Sequence, residues 1–346
     1  MIQYFVDAPF ALTADRRAAE SWAGRPEILA KLKRICFGYT NRPDSSIALM
    51  WSNLGAGKTH ALLHLSHLLR ASNVVPTYVE LPQQPKRFID LYQRIIDDIS
   101  SEDLIDAGLG ARLSPDLDRV IRVLKFGSSD QHQVVRSWLA AGKPPLRELK
   151  AASGIGSRIE DDLRAREVFC AIIDAFKARG RRLVVLLDEF QRIGSVSSKQ
   201  REIVLSHLRS VFSRHPSQFS LVIAVASRIE KTALELLPSE LRSLMGVQPA
   251  MALPEMNRDE ALDFAMGRLA AFRPAGYEGD PAAPFGQAAL NATVDFIADQ
   301  DSARLIPRTL LQALGYLYDN ICSTAPASAL SVVRVRELLG ELRWND

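Results

Sequence analysis

Short, wholly apolar runs alternate along this chain with longer segments whose apolar residues recur at helical spacing. Ile47-Ala48-Leu49-Met50-Trp51, Val74 to Leu81, Leu183 to Leu187 and Phe219 to Ser227 predict four strands, and Val247 to Leu253 suits a fifth. The unbroken apolar run Leu183 to Leu187 implies a strand buried on both faces, which means a parallel sheet covered by helices. Helical patterns fill the gaps. Pro26 opens one, Ala61 to Leu69 carries a second, and the stretch from Arg87 to Trp138 is mostly helical with Phe88, Leu91, Ile95, Ile96 and Ile99 on one face. Lys143-Pro144-Pro145 breaks that stretch. A new helix then runs from Ile159 through Val168, Ile172, Ile173 and Phe176 to Gly180, a glycine suited to a helix C-terminus. After Glu255 the pattern is wholly helical (258–268, 288–298, 307–317 and 332–342), with an exposed Pro/Gly-rich loop over 274–285.

Composition narrows the class. With 346 residues, 47% of them hydrophobic and 24% charged, the chain has the makeup of a soluble globular protein of two domains, or of one with a satellite. The first 17 residues lack the basic start and apolar core of a secretory signal, and no apolar run is long enough to span a bilayer, so a cytoplasmic location without membrane association is expected. Cys36, Cys170 and Cys322 are scattered and odd in number, as reduced thiols would be. The net charge of +3 hides an asymmetry: from Glu255 onward there are 8 Lys+Arg against 13 Asp+Glu, and before it 35 against 27. A basic body is compatible with nucleic-acid contact, and equally with docking between neighbouring subunits.

Chemistry concentrates between the first strand and the next helix, in Ser52-Asn53-Leu54-Gly55-Ala56-Gly57-Lys58-Thr59. Strand, glycine loop and helix in that order make a phosphate cradle. Gly55 and Gly57 let successive N–H groups turn toward an anion, and the helix N-terminus adds positive potential. Lys58 can reach the β- and γ-phosphates, and the Thr59 hydroxyl can enter a Mg²⁺ shell. The G-x-x-x-x-G-K-[ST] pattern wants glycine where Ser52 stands; a serine fits there if its φ stays negative. The third strand ends in Asp188-Glu189, at the edge where parallel sheets bind ligands. Asp188 suits a Mg²⁺ ion held through water, and Glu189 suits polarisation of an attacking water. His60, His64 and His67 share a helix face without a local cysteine or carboxylate, and read as packing or surface residues rather than a metal site. The turn Ser153 to Ile159 resembles that of a helix-hairpin-helix, but its place before the helix leading to Asp188 favours a plain connection. Without an Asn-Lys-x-Asp signature, GTP is disfavoured, and no spacing suits a nuclease or protease.

Together these motifs resemble the AAA+ ATPases, and most closely the initiator-loader branch with its bacterial transposition-regulator and phage-exclusion ATPase relatives, whose P-loops can also read Gly-Lys-Thr-His, as at Gly57 to His60. The resemblance covers nearly the whole chain. It implies an α/β P-loop core over residues 1–254, with a five-stranded parallel sheet between helices and a helical insertion at about 84–157, followed by a small all-helical lid over 255–346. It implies ATP and Mg²⁺ as ligands. Gly55, Ala56, Gly57, Lys58, Thr59 and His60 would form the cradle, Gly24 and Arg25 would lie near adenine, and Thr59 and Asp188 would hold the metal. Glu189 would be the water-activating residue and Ser227, where the family often has asparagine or threonine, the residue that helps place that water. Arg308 would be the lid arginine at the γ-phosphate, with Arg304 competing. Arg242, with Arg228 as second choice, would be the finger completing a neighbour's site, which implies a homo-oligomer working with a protein partner or nucleic acid. The function expected is coupling of ATP hydrolysis to assembly, loading or remodelling of a complex. The alternative is a slow ATP-dependent switch or scaffold that recruits an effector in a mobile-element or defence system.

Overall fold

The structure, a computed structural model, describes residues 4–14, 16, 18–41, 45–109, 113–237, 239–245, 250–300, 304–324, 330–342 and 344. The chain divides into two compact units. One comprises Lys33–Trp51 and Leu65–Ala252; the other comprises Met1–Leu32, Ser52–His64 and Leu253–Asp346.

The larger unit is built on a five-stranded parallel sheet of order β2-β3-β4-β1-β5, with β1 at Ile47–Ser52, β2 at Val74–Glu80, β3 at Arg182–Asp188, β4 at Phe219–Ala226 and β5 at Met251–Ala252. Every residue of β3 is buried, as an uninterrupted apolar run requires. Register is fixed from Val74 opposite Arg182 to Glu80 opposite Asp188, and from Leu183 opposite Phe219 to Leu187 opposite Ile223. The fifth strand is shorter than the sequence pattern predicts: only Met251 and Ala252 pair, with Met50 and Trp51, and residues 247–249 of the expected strand lie outside the described residues. Because the strands run parallel, the C-terminal ends of β1, β3 and β4 share one edge.

Helices of this unit include α3 (Phe88–Asp98), α4 (Ser101–Gly108), α5 (Pro115–Phe126), α6 (Ser129–Leu139), α7 (Leu146–Ser153), α8 (Asp162–Ala178) and α9 (Ser198–Arg214). The stretch that reads as mostly helical is divided by its serines. Ser100 caps α4 by accepting from the Asp103 N–H, and Ser128 caps α6 in a reciprocal pair with Gln131. Phe88, Leu91, Tyr92, Ile95 and Ile96 bury one face of α3, and Trp138 is fully buried with its Nε1 donating to the Ser157 carbonyl at 2.7 Å. Gly180, at φ +67°, lies one residue past the cap of α8 in the left-handed conformation that ends a helix.

The smaller unit packs α12 (Arg258–Ala271), α13 (Gln287–Ala298), α14 (Pro307–Thr324) and α15 (Val332–Gly340) around Leu269, Phe285, Leu290, Ile297, Leu314 and Leu339. Its core also takes in the N-terminal segment. The ring of Phe5 meets those of Phe10 and Tyr318 at 5.8 and 5.4 Å, and Phe10 meets Phe285 at 5.7 Å. Among the described residues no helix is long and apolar enough to cross a membrane.

Candidate nucleotide site

Three separate stretches of the smaller unit converge on one loop. Between β1 and α2 (Lys58–Arg70), Gly55 and Gly57 adopt φ of +77° and +96°, left-handed values open to glycine and suited to a tight anion-binding turn. Lys58 is only 5% exposed. Its Nζ folds back to donate to the Asn53 carbonyl at 2.9 Å and to the carbonyl and Oγ of Ser52 at 3.3 Å each. A buried ammonium beside a left-handed glycine loop that leads into a helix N-terminus suits a polyphosphate. Ser52, where the motif wants glycine, has no positive φ and gives its hydroxyl to the Asn53 carbonyl at 3.0 Å, so the serine fits without strain. Thr59 and His60 follow on the first turn of α2, both half-buried.

The second stretch supplies Gly24 and Arg25. Both are left-handed, at φ +60° and +50°. The Trp22 indole donates to the Gly24 carbonyl at 2.7 Å, and its ring lies 5.6 Å from that of His60 and 5.1 Å from that of His64, whose Nδ1 is 2.7 Å from the Ala19 carbonyl. Arg25, 3% exposed, donates through Nη1 to the Ala56 carbonyl at 2.9 Å and through Nη2 to the Pro254 carbonyl. Burial lowers its pKa, against the charge of Glu260. Two consecutive left-handed residues, one a non-glycine, are a backbone cost sustained by these contacts. Gly24→Ala is expected to cost about 2–4 kcal/mol, since the left-handed penalty adds to a Cβ placed 2.9 Å from the Phe264 backbone nitrogen, which cannot swing away. Thermal unfolding measures it, and an unchanged midpoint refutes the close approach.

The third stretch is the start of α14. The Arg308 N–H donates to the Gly55 carbonyl at 3.3 Å, and a Cβ on Gly55 would lie 3.0 Å from Arg308 Cβ and 2.9 Å from Ile306 Cδ1. Arg304, the competing residue, is ion-paired with Glu255 at 3.7 Å.

In the larger unit, Asp188 ends β3 and is 1% exposed. Its Oδ2 accepts from the Tyr78 hydroxyl at 3.1 Å and its Oδ1 from the Glu189 N–H at 2.8 Å. Burial, reinforced by the Asp188 charge, raises the Tyr78 phenol pKa, so the phenol keeps its proton to donate. Glu189 is left-handed at φ +56°, an unusual place for glutamate. Its Oε2 accepts from Gln191 Nε2 at 2.8 Å and lies 3.6 Å from Arg192 Nη2. Gln191 turns its own Oε1 to the Ala226 N–H at 2.9 Å, and Arg192 pairs with Glu80 at 2.7 Å. One glutamine thus joins the acid to the end of β4, beside Ser227. The Ser227 hydroxyl is engaged in its own turn, donating to the Ile229 carbonyl at 2.8 Å. Arg228 and Arg242 are exposed. Patterning gives no sign of Tyr78, Gln191 or Arg192: the tyrosine sits in an apolar strand, and the other two look like the polar start of a loop.

The parallel sheet, the glycine loop at its first strand and the helical C-terminal region have the fold of the AAA+ P-loop ATPases. Among solved structures, ORC1 of Aeropyrum pernix in complex with DNA matches with a TM-score of 0.56 at 14% identity, over 99% of this chain and 71% of that one. ORC2 of the same organism, in ADPNP-ADP complexes, matches with a TM-score of 0.58 at 16% identity, over 94% and 72%. The HORMA:CdnC:Trip13 complex of E. coli MS115-1 matches with a TM-score of 0.50 at 10% identity, over 95% and 91%. No family model and no curated protein sequence matches the chain.

Proposed function

We propose that the protein is an oligomeric ATPase that couples ATP binding and hydrolysis to the assembly, loading or remodelling of a DNA- or protein-bound complex in the cytoplasm. The observation that carries this is the cluster about Gly55, where a glycine cradle, a buried lysine, a buried arginine and a C-terminal-domain arginine are joined by hydrogen bonds and close contacts. Strand topology supports it too, since β1 and β3 run parallel and end at the same sheet edge, where such sheets bind ligands.

In this proposal the N–H groups from Gly55 to Thr59 hold the β-phosphate and Lys58 the β- and γ-phosphates. Gly24, Arg25 and His60 lie toward the nucleoside. Thr59 and Asp188 would hold Mg²⁺, which when bound withdraws charge from the phosphate oxygens. Glu189 takes the proton of the attacking water, Ser227 helps to place that water, and Arg308 answers the charge that spreads over the γ-phosphoryl oxygens. Arg242 does the same for the neighbouring subunit. The DNA in the ORC1 neighbour and the basic surplus before Glu255 favour a nucleic-acid-linked task. The test is phosphate release with and without duplex DNA, on protein sized by native mass spectrometry. DNA-stimulated release by an ATP-dependent oligomer is expected; no release and no ATP-dependent change in mass would sink the proposal.

One observation favours the second reading, a slow switch that recruits an effector: Glu189 is tied to Gln191 and Arg192, and the Ser227 hydroxyl to its own turn. Gln191→Ala separates the two. If Gln191 aims Glu189 for catalysis, kcat falls about tenfold with the Kd for ATP unchanged. A rise in kcat would mean that the glutamine restrains the acid, and would support the switch.

A further inference from the structure

Helices α8 and α9 enclose a cleft of about 680 Å³ that neither the sheet edge nor the glycine loop accounts for. Its walls carry Arg166 from α8 and Ser206, Arg209, Ser210, Ser213 and Arg214 from α9. A second cleft of about 400 Å³ shares Arg209 and Ser213 with it and is also lined by Ser45 and Ser243. We propose that this channel is a binding site for the sugar-phosphate backbone of duplex DNA, which deepens the nucleic-acid part of the function proposed above by placing the contact.

Charge sets the ligand class. Three guanidiniums line the first cleft, Arg166, Arg209 and Arg214, of which Arg209 and Arg214 also have partners of their own, against one lining carboxylate, Glu167, itself paired with Arg164 at 3.4 Å. Asp174 nearby is engaged by Arg214 at 3.4 Å and faces His215 Nδ1 at 3.5 Å. Arg166 makes no ion pair among the described residues. Arginine is the side chain best matched to phosphate oxygens.

Shape separates a backbone from other anions. Ser206, Ser210 and Ser213 recur along one face of α9, and the first two give their hydroxyl protons to the carbonyls of Ile203 and Ser206 at 2.8 and 2.9 Å. Their contribution is small size, which leaves an open track between arginines. The one aromatic side chain of the walls, Phe212, is buried, so no ring is offered for stacking bases of a single strand. Nor does the cleft present an exposed large apolar side chain to a membrane or an amphipathic partner. Backbone contact without base readout is what this surface supports.

The test is fluorescence anisotropy of a labelled 30-base-pair duplex across a salt series, using the full chain and the variants Arg166→Glu, Arg209→Glu and Ser213→Glu. Wild-type binding should weaken with salt at a log–log slope of about −2 to −3, the value for roughly three phosphate contacts. Each charge reversal should weaken binding at least about tenfold, and Arg166→Gln should flatten the slope by about one. Ser213 is exposed, so its variant keeps the test valid if an arginine variant folds poorly. Wild-type affinity in the glutamate variants would overturn the proposal, as would equal competition by poly-L-glutamate, which would make the site one for acidic polypeptides. ATP turnover without DNA, measured on the same samples, separates the two ideas: lost DNA binding with normal turnover supports the channel, and absent turnover with intact groove binding overturns the ATPase alone.

Discussion

Lys58→Ala is expected to lower affinity for ATP at least about 100-fold while the protein stays folded. The Lys58 ammonium donates to two oxygens of Ser52 and to the Asn53 carbonyl. Those acceptors hold it where phosphate oxygens would compete for the same protons. Each hydrogen bond involving a charged group contributes about 1.5–3 kcal/mol, so losing two such phosphate contacts weakens binding by about 3–6 kcal/mol, more than two decades in Kd. Stability should change less: the substitution leaves loop oxygens without their donor, about 1–3 kcal/mol. It also removes a buried charge, which offsets part of that cost. Calorimetric titration with a non-hydrolysable ATP analogue reads the first effect and a melting curve the second. Unchanged affinity would refute the cradle, and loss of affinity with loss of folding would be resolved by Lys58→Met, which keeps the apolar stem.

Much of the scaffold is legible in the sequence because its signals are local. Leu183 to Leu187 can only be a strand buried on both faces, and Gly55 and Gly57 mark a backbone that must turn left-handed. The stretch from Arg87 to Trp138 is legible as helix but not as separate helices, since its divisions depend on single capping serines such as Ser100 and Ser128, which resemble any other surface serine until the turn around them is known. The fifth strand reads longer than it is because apolar spacing carries no information on how many residues find a pairing partner. Arg182 shows the same limit from the other side. A charged residue at the start of β3, it is nonetheless buried with Nη1 on the Tyr39 carbonyl at 2.8 Å and Nη2 on Ser220 Oγ at 3.1 Å. At the candidate site, side chains with a local motif could be named in advance. Tyr78, Gln191 and Arg192 could not, because their partners come from other strands or from a loop whose path follows the left-handed turn at Glu189.

Glu189→Gln should reduce kcat by about 10²–10⁴-fold, the usual size of a general-base contribution, with ATP affinity within about threefold of wild type. The amide matches the carboxylate in shape and can still accept from Gln191, so the loop geometry survives; what is lost is the capacity to take a proton from water. Arg192 is held more closely by Glu80, at 2.7 Å, than by Glu189, at 3.6 Å, so neutralising Glu189 leaves that arginine its main partner. Asp188 provides the contrast. Both its oxygens are engaged, by the Tyr78 hydroxyl and the Glu189 N–H, which suits a fixed acceptor better than a proton carrier. Single-turnover phosphate release beside equilibrium binding separates chemistry from affinity, and a kcat within threefold of wild type would reassign the water-activating role. A double variant then tests the relay. If Gln191 acts only by aiming Glu189, adding Gln191→Ala to Glu189→Gln slows the reaction no further. Additive losses would instead give the glutamine a role of its own at the end of β4.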